Sequence, residues 1–230
     1  EPMPGLHSIE RLFADVRGLL RETDLDIRVR INDCPSQGML PRLRDAWVAR
    51  RHQGQVNHVT GDVHYLGWWL DPARTVLTIH DCVGLTRMSG WRRSVFKYLW
   101  YTLPARRCRF ITVVSQFTRD ALLREIDCDP SRIQVIHPHL SDEFQRVDRP
   151  FRTRGTRVLQ IGTAYNKNIE RLAQAMVGLD VELRVIGEMS PSQRAAVTAA
   201  KIKCTERTGL SRKEILDEYV NADIVALAST

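Results

Sequence analysis

The stretch Arg157-Val158-Leu159-Gln160-Ile161-Gly162-Thr163-Ala164-Tyr165-Asn166-Lys167-Asn168 decides the fold. Its first five residues form a short, mostly apolar run, as expected of a strand inside a parallel sheet. A glycine then turns the chain, and residues 167–177 carry helical spacing. The alternation continues with a strand at 181–186, a helix at 191–200 with Pro191 in its first turn, a helix at 211–220 and a strand at 224–227.

Toward the N-terminus, residues 138–155 hold Pro138, Pro150, Gly155 and several charges with no sustained period, and they mark a domain boundary. Before the boundary, the runs 75–79, 110–114 and 133–136 are again short, β-branched and bounded by turn formers. A crossover helix is expected at 115–125, with Ser115 as its cap. Residues 8–23 predict an amphipathic helix, 26–32 a half-buried strand by alternation, 40–51 a basic helix and 56–60 a short strand. Strands alternating with helices specify the α/β class, here two Rossmann-like doubly wound domains. The expected division is 1–140, a linker at 141–155, and an incomplete second domain at 156–230. A domain of this class begins with a strand and takes roughly 150 residues, so both ends are expected to be cut.

The 230 residues carry a formal net charge of +7. Between Asp81 and Asp120 there are eight basic residues and no acidic one, while the remainder holds 26 basic and 27 acidic residues. The excess is thus one local patch, unlike the general basic coating of a nucleic-acid-binding protein. The patch includes Trp91, Arg92, Arg93, Lys97 and Trp100, a basic and aromatic helix suited to an anionic membrane surface or to a solvated face over a core. No nucleic-acid partner is expected. No run approaches the ~20 apolar residues of a membrane-spanning helix. The five cysteines are scattered, with no CxxC and no zinc spacing, which suits reduced thiols and no metal site.

Two places can carry chemistry. Gly162 allows a tight turn beside a ligand, and Lys167 adds a positive charge at the following helix start. This is either a phosphate-binding loop or an ordinary strand-to-helix connection, since no GxGxxG or GxxxxGK[ST] spacing is present. His80 and Asp81 end the strand 75–79, and Gly61-Asp62-Val63-His64 follows the strand 56–60. Carboxyl ends of parallel strands are where open α/β sheets bind ligands. A histidine there donates a hydrogen bond or moves a proton, or else is satisfied by backbone. Asp62, His64 and Asp81 are further candidates to line a ligand cleft at this edge.

Taken in order, Pro4-Gly5, Val76-Leu77-Thr78-Ile79-His80-Asp81, residues 111–118, residues 132–136, Val158-Leu159-Gln160-Ile161-Gly162 with Lys167-Asn168, Leu183-Arg184-Val185-Ile186-Gly187 and residues 219–229 resemble the retaining family 4 glycosyltransferases of GT-B fold. The resemblance implies transfer of a hexose from a nucleotide-sugar to a saccharide or lipid-linked acceptor, in cell-surface polysaccharide or glycolipid synthesis. It assigns His80 to the transferred sugar. It assigns Gly5, Gly162, Lys167, Asn168, Gly187, Thr208 and Gly209 to the donor. It implies no cofactor, the nucleotide-sugar being a substrate, and a cytoplasmic location with the inner membrane face as the surface to test. An arginine frequent in the family's loop is replaced here by Thr163-Ala164-Tyr165-Asn166. The family's two glutamates, seven residues apart, are expected beyond Thr230, so the chain as it stands is expected to be poorly active or inactive. The alternatives are a sugar-nucleotide epimerase of the same fold and a non-catalytic, membrane-associated binding module.

Overall fold

The computed structural model describes residues 8–31 and 38–229. The chain divides into two units, Glu1–Ser141 and Asp142–Thr230.

The first unit carries a four-stranded parallel sheet in the order β1-β2-β3-β4, formed by Asn57–Val59, Thr75–Ile79, Phe110–Val113 and Ile133–Val135. Two helices come first, α1 (Ser8–Leu20) and α2 (Met39–Arg51). Between β2 and β3 run α3 (Val83–Thr86), α4 (Gly90–Lys97), one π turn (Tyr98–Thr102) and α5 (Leu103–Arg107). α6 (Gln116–Glu125) links β3 to β4, and the Ser115 side chain caps it by accepting from the Thr118 N–H. Leu77, Ile79, Ile111 and Val113 are buried with Tyr65, Trp68, Trp100 and Tyr101 in one core.

The π turn has a local cause. Pro104 has no N–H to give to the carbonyls of Trp100 and Leu99, four and five residues before it, and these accept instead from His64 Nδ1 (3.1 Å) and Trp68 Nε1 (2.8 Å). The Trp100 indole in turn donates to Asp62 Oδ1 (3.0 Å). A buried aromatic and histidine cluster thus fixes the non-α geometry.

The second unit carries a parallel sheet in the order β7-β6-β5-β8, formed by Lys203–Arg207, Val181–Ile186, Thr156–Ile161 and Ile224–Ala226. In sequence terms this is the order 3-2-1-4, with its topological switch between β5 and β8. α7 (Ile169–Ala175) and α8 (Pro191–Ala199) cover one face, where Val158, Leu183 and Val185 meet Ile169, Ala173 and Val197. α9 (Arg212–Asn221) lies on the other face, which is charged. There Arg157, Glu182 and Lys203 stand in one row across β5, β6 and β7. Arg184 (3.1 Å) and Arg207 (2.8 Å) both reach the buried Glu218 of α9.

Three expectations change. Residues 26–31 form no strand, and Leu25, Ile27, Val29 and Ile31 are exposed. Alternation yields a strand only where a neighbour takes the backbone bonds and a core takes the apolar face. β7 was not foreseen, because Lys-Cys-Thr-Glu-Arg is polar on both faces. The helix expected from 167 begins only at Ile169, because Asn168 is left-handed (φ 52°) and separates it from a 3₁₀ turn at Tyr165–Lys167. Residues of the 141–155 stretch are anchored within the second unit. Arg149 and Arg152 bind Asp223, Phe144 packs edge-on against Tyr219, and Glu143 pairs with Arg212.

Candidate functional site

In the second unit the residues that follow each strand lie along the sheet's carboxyl edge. Gly162 follows β5 with φ +83°, a conformation that favours glycine. A Cβ there would come within 3.3 Å of Lys167 Cε, so the lysine stem folds over the bare glycine. Lys167 Nζ donates to Ser229 Oγ (3.2 Å), and Asn168 Nδ2 donates to the Ala228 carbonyl (2.6 Å). These bonds join the loop after β5 to the segment after β8, across the switch point where α/β sheets bind ligands. Gly187 (φ +125°) follows β6, and a Cβ on it would meet Thr163 Cγ2 at 3.1 Å. Its bare backbone lets the two loops close together. Thr208 and Gly209 follow β7 on the same edge and are exposed. Gly162, Lys167, Asn168 and Gly187 are thus gathered, with Thr208 and Gly209 at the far strand. Gly5 lies outside the described residues. α7 has only seven residues, so positive charge at this edge comes from Lys167 and the loop rather than from a strong helix dipole.

In the first unit His80 ends β2. Its Nε2 donates to the Thr60 carbonyl (2.8 Å), and its own carbonyl accepts from Thr118 Oγ1 (3.0 Å). Phe13 of α1 packs edge-on against both His80 and His58. Asp81 Oδ1 accepts from the Val83 N–H (2.9 Å). Asp62 is exposed as a residue, yet the protein around its carboxyl desolvates it and raises its pKa. The Trp100 hydrogen bond opposes that rise and the Asp81 charge adds to it.

Two groups of expected site residues are corrected. His64 is buried and holds the π turn through Nδ1, so it does not line an acceptor site. Burial lowers its pKa to about 4 and keeps the ring neutral. Trp100 is only 4% exposed, stacked on Phe96 under the Arg42 guanidinium, and is a core residue. Arg93 (2.6 Å) and Lys97 (4.0 Å) turn inward to Glu125 of α6. The exposed face instead presents Met88, Trp91 (72% exposed), Val95 and Tyr98, spaced three or four residues apart. Arg87 and Arg92 are exposed beside it.

Sequence reasoning missed several partners. His58 Nε2 lies 2.7 Å from Thr78 Oγ1, which lies 2.7 Å from Thr112 Oγ1, a polar row within the first sheet. Burial, then the His80 charge, lowers the His58 pKa. Gln160 stands in the middle of an apolar strand, and that mismatch was the available signal. Among the described residues no group of three or more His, Cys, Asp or Glu side chains gathers as a metal site, and no helix is long and apolar enough to cross a membrane.

Residues 12–144 match the sequence profile of Glycosyltransferase Family 4. No curated protein sequence matches the chain. Among solved structures, HepE of Anabaena in complex with UDP and glucose superposes with a TM-score of 0.65 at 14% identity, covering 93% of this chain and 63% of that one. The same protein in complex with UDP-glucose gives 0.63 at 13% identity, with 93% and 63% covered. With UDP alone it gives 0.62 at 15%, with 93% and 64% covered. The chain thus spans somewhat under two thirds of the length of these structures. At such identity the likeness establishes the fold: two Rossmann-like α/β domains with parallel sheets, the GT-B arrangement.

Proposed function

The chain belongs to Glycosyltransferase Family 4, and on that basis we propose that it moves a hexose from a nucleoside-diphosphate sugar to a saccharide or lipid-linked acceptor, with retention at the anomeric carbon. The observation that carries this reading is the Gly162–Asn168 loop, tied through Lys167 and Asn168 to Ser229 and Ala228 at the β5/β8 switch point. The HepE structures likewise hold UDP or UDP-glucose.

In this scheme the bond between the anomeric carbon and the diphosphate oxygen breaks, and its electron pair stays on the diphosphate. Lys167 and the loop N–H groups stabilise that charge. The acceptor hydroxyl forms the new bond on the same face, and its proton passes to the departing phosphate oxygen. Thr208 and Gly209 are assigned to the base and Gly187 to the nucleotide, while His80 donates or accepts a hydrogen bond at the sugar. Asp62 and Asp81 remain the acceptor-side carboxylates. The site belongs to cell-surface polysaccharide or glycolipid synthesis at the cytoplasmic side of the membrane.

The test is titration of the 230-residue chain with UDP, GDP and ADP and their parent nucleosides. Lys167→Ala is expected to weaken nucleoside diphosphate binding by about 10–100-fold, the value of one charge-assisted contact, and to leave nucleoside binding alone. Equal diphosphate affinity in the variant removes Lys167 from the site. Release of nucleotide from a panel of nucleotide-sugars, with and without saccharide acceptors, separates transfer from epimerisation, which runs without acceptor.

The exposed stripe Met88, Trp91, Val95 and Tyr98, with Arg87 and Arg92 beside it, favours an anionic membrane as a second partner. Aromatic rings seat at the headgroup level while arginines meet lipid charge. Trp91→Ala is expected to cut co-sedimentation with phosphatidylglycerol vesicles several-fold without changing thermal stability, since the ring is exposed. Trp100→Ala is instead expected to destabilise the fold. Equal vesicle binding by wild type and Trp91→Ala counts against this surface.

A further inference from the structure

The loop after β5 holds three successive carbonyl groups on two buried amides. Gln160 Nε2 donates to the Ile161 carbonyl (3.0 Å) and the Gly162 carbonyl (3.3 Å), and Gln193 Nε2 donates to the Thr163 carbonyl (2.9 Å). Gln160 is 1% exposed and Gln193 2% exposed, so all three carbonyls point toward the protein interior. Both amide orientations are determined. Gln193 Oε1 already accepts from the Ser190 N–H (2.9 Å), so its Nε2 must face Thr163. Gln160 faces two carbonyls, which only accept, so its Nε2 must be the atom between them.

In a trans peptide the carbonyl and the next N–H point opposite ways. Turning the Gly162 and Thr163 carbonyls inward therefore turns the N–H groups of Thr163 and Ala164 outward. Neither N–H has an acceptor among the described residues, whereas the Gly162 N–H is used by the Ile186 carbonyl (2.8 Å). Two adjacent N–H groups without an acceptor, near Lys167, are of the kind that can bind an anion. The arrangement also has a cost. Gln160 Oε1 is buried with no hydrogen-bond partner among the described residues. A methionine or leucine would fill the same space without that orphan acceptor.

We propose that Gln160 and Gln193 are positioning residues for the donor diphosphate: they turn the carbonyls of residues 161–163 away from it and present the Thr163 and Ala164 N–H groups to it. This rests on the donor reading of the Gly162 loop and adds to it which residues set the loop's polarity. A carbonyl oxygen facing the ligand would oppose the diphosphate charge, so the effect is confined to the anionic part of the donor.

Gln160→Met separates positioning from packing. It removes the buried orphan acceptor but also the donor to the Ile161 and Gly162 carbonyls, so the variant is expected to fold with some loss of thermal stability, while affinity for UDP, GDP or ADP (whichever wild type binds best) falls about tenfold, the value of one to two charge-assisted N–H contacts. Affinity for the parent nucleoside is expected to stay unchanged. Gln193→Met is expected to lose diphosphate affinity too, together with stability, because Gln193 also caps α8. In wild type the ¹⁵N–¹H signals of Thr163 and Ala164 are expected to shift on adding the diphosphate. Unchanged diphosphate affinity in a folded Gln160→Met, or equal losses for nucleoside and diphosphate, would overturn the positioning role and leave the donor site standing. Failure of wild type to bind any nucleoside diphosphate would overturn both.

Discussion

Asp223→Ala is expected to lower the stability of the second unit by about 3 kcal/mol, the low end for breaking a buried ion cluster, because both arginine partners keep contact with water. The Asp223 side chain has no exposed surface. Its Oδ1 accepts from Arg149 Nη2 (2.7 Å) and the Arg152 N–H (3.3 Å), and its Oδ2 from Arg152 Nη1 (3.1 Å) and the Arg157 N–H (2.8 Å). One carboxylate therefore ties the segment before β5, the start of β5 and the entry to β8. Burial alone raises its pKa, but the Arg157 and Arg152 N–H groups and the two guanidinium groups outweigh that and bring it down to about 2. A pKa held below the ordinary 3.8 stabilises the fold above that value, and the stabilisation is lost as the pH falls toward 2. Urea unfolding followed by circular dichroism at pH 7 measures the loss. Below pH 3 the gap between wild type and variant is expected to narrow; a gap that stays constant with pH refutes the carboxylate's role.

The second large effect is the pH dependence set by His64. Burial, the largest influence, pulls its pKa from 6.5 to about 4, with the Trp100 carbonyl bond and the Asp81 charge opposing and the His80 charge adding to the fall. The unfolded chain then binds a proton between pH 6.5 and 4 that the native chain refuses, so stability drops as the pH falls through that window. The size is about 3 kcal/mol at roughly 1.4 kcal/mol per unit. Burial lowers the His58 pKa as well, so the discriminating comparison is between wild type and His64→Gln. The variant is expected to lose about 1–3 kcal/mol at pH 7, by weakening the bond to the Trp100 carbonyl, and to show a shallower acid profile. Parallel profiles for the two proteins rule His64 out as the titrating group.

Much of the scaffold was legible because buried parallel strands leave a plain trace. The runs at Val76–Ile79 and Val158–Ile161 are apolar on both faces, and each emerged as a sheet member. The trace fails where both faces carry polar residues. β7 satisfies Lys203 and Arg207 through ion pairs with Glu182, Glu214 and Glu218, so its letters resemble a loop. It fails in the opposite sense at residues 26–31, where a regular alternation forms no strand and its apolar side chains are exposed. The turn after β5 was legible in Gly162 and Lys167, but the partners that hold that loop, Ala228 and Ser229, lie 60 and 62 residues from Asn168 and Lys167. His64 was misread because a histidine after a strand gives the same letters whether it faces a cleft or a core. The basic helix was misread because Trp91 and Trp100 were given one role, although nine residues of helix set them on opposite faces, one exposed and one buried.

The charged face of the second sheet has a consequence for how the strands find one another. Arg157, Glu182 and Lys203 alternate in sign along one row. Sliding β6 by two residues would keep the pleat but set Arg184 beside Arg157 and part Glu182 from Arg157 and Lys203. Apolar side chains tolerate such a slip, because one branched residue packs much like the next. The row thus acts as a proofreading mark, rejecting near-miss alignments that greasy contacts alone would accept. Because Glu182 is buried and Arg157 largely covered, salt screens the finished row only weakly, and the alignment it fixes holds across a wide range of ionic strength.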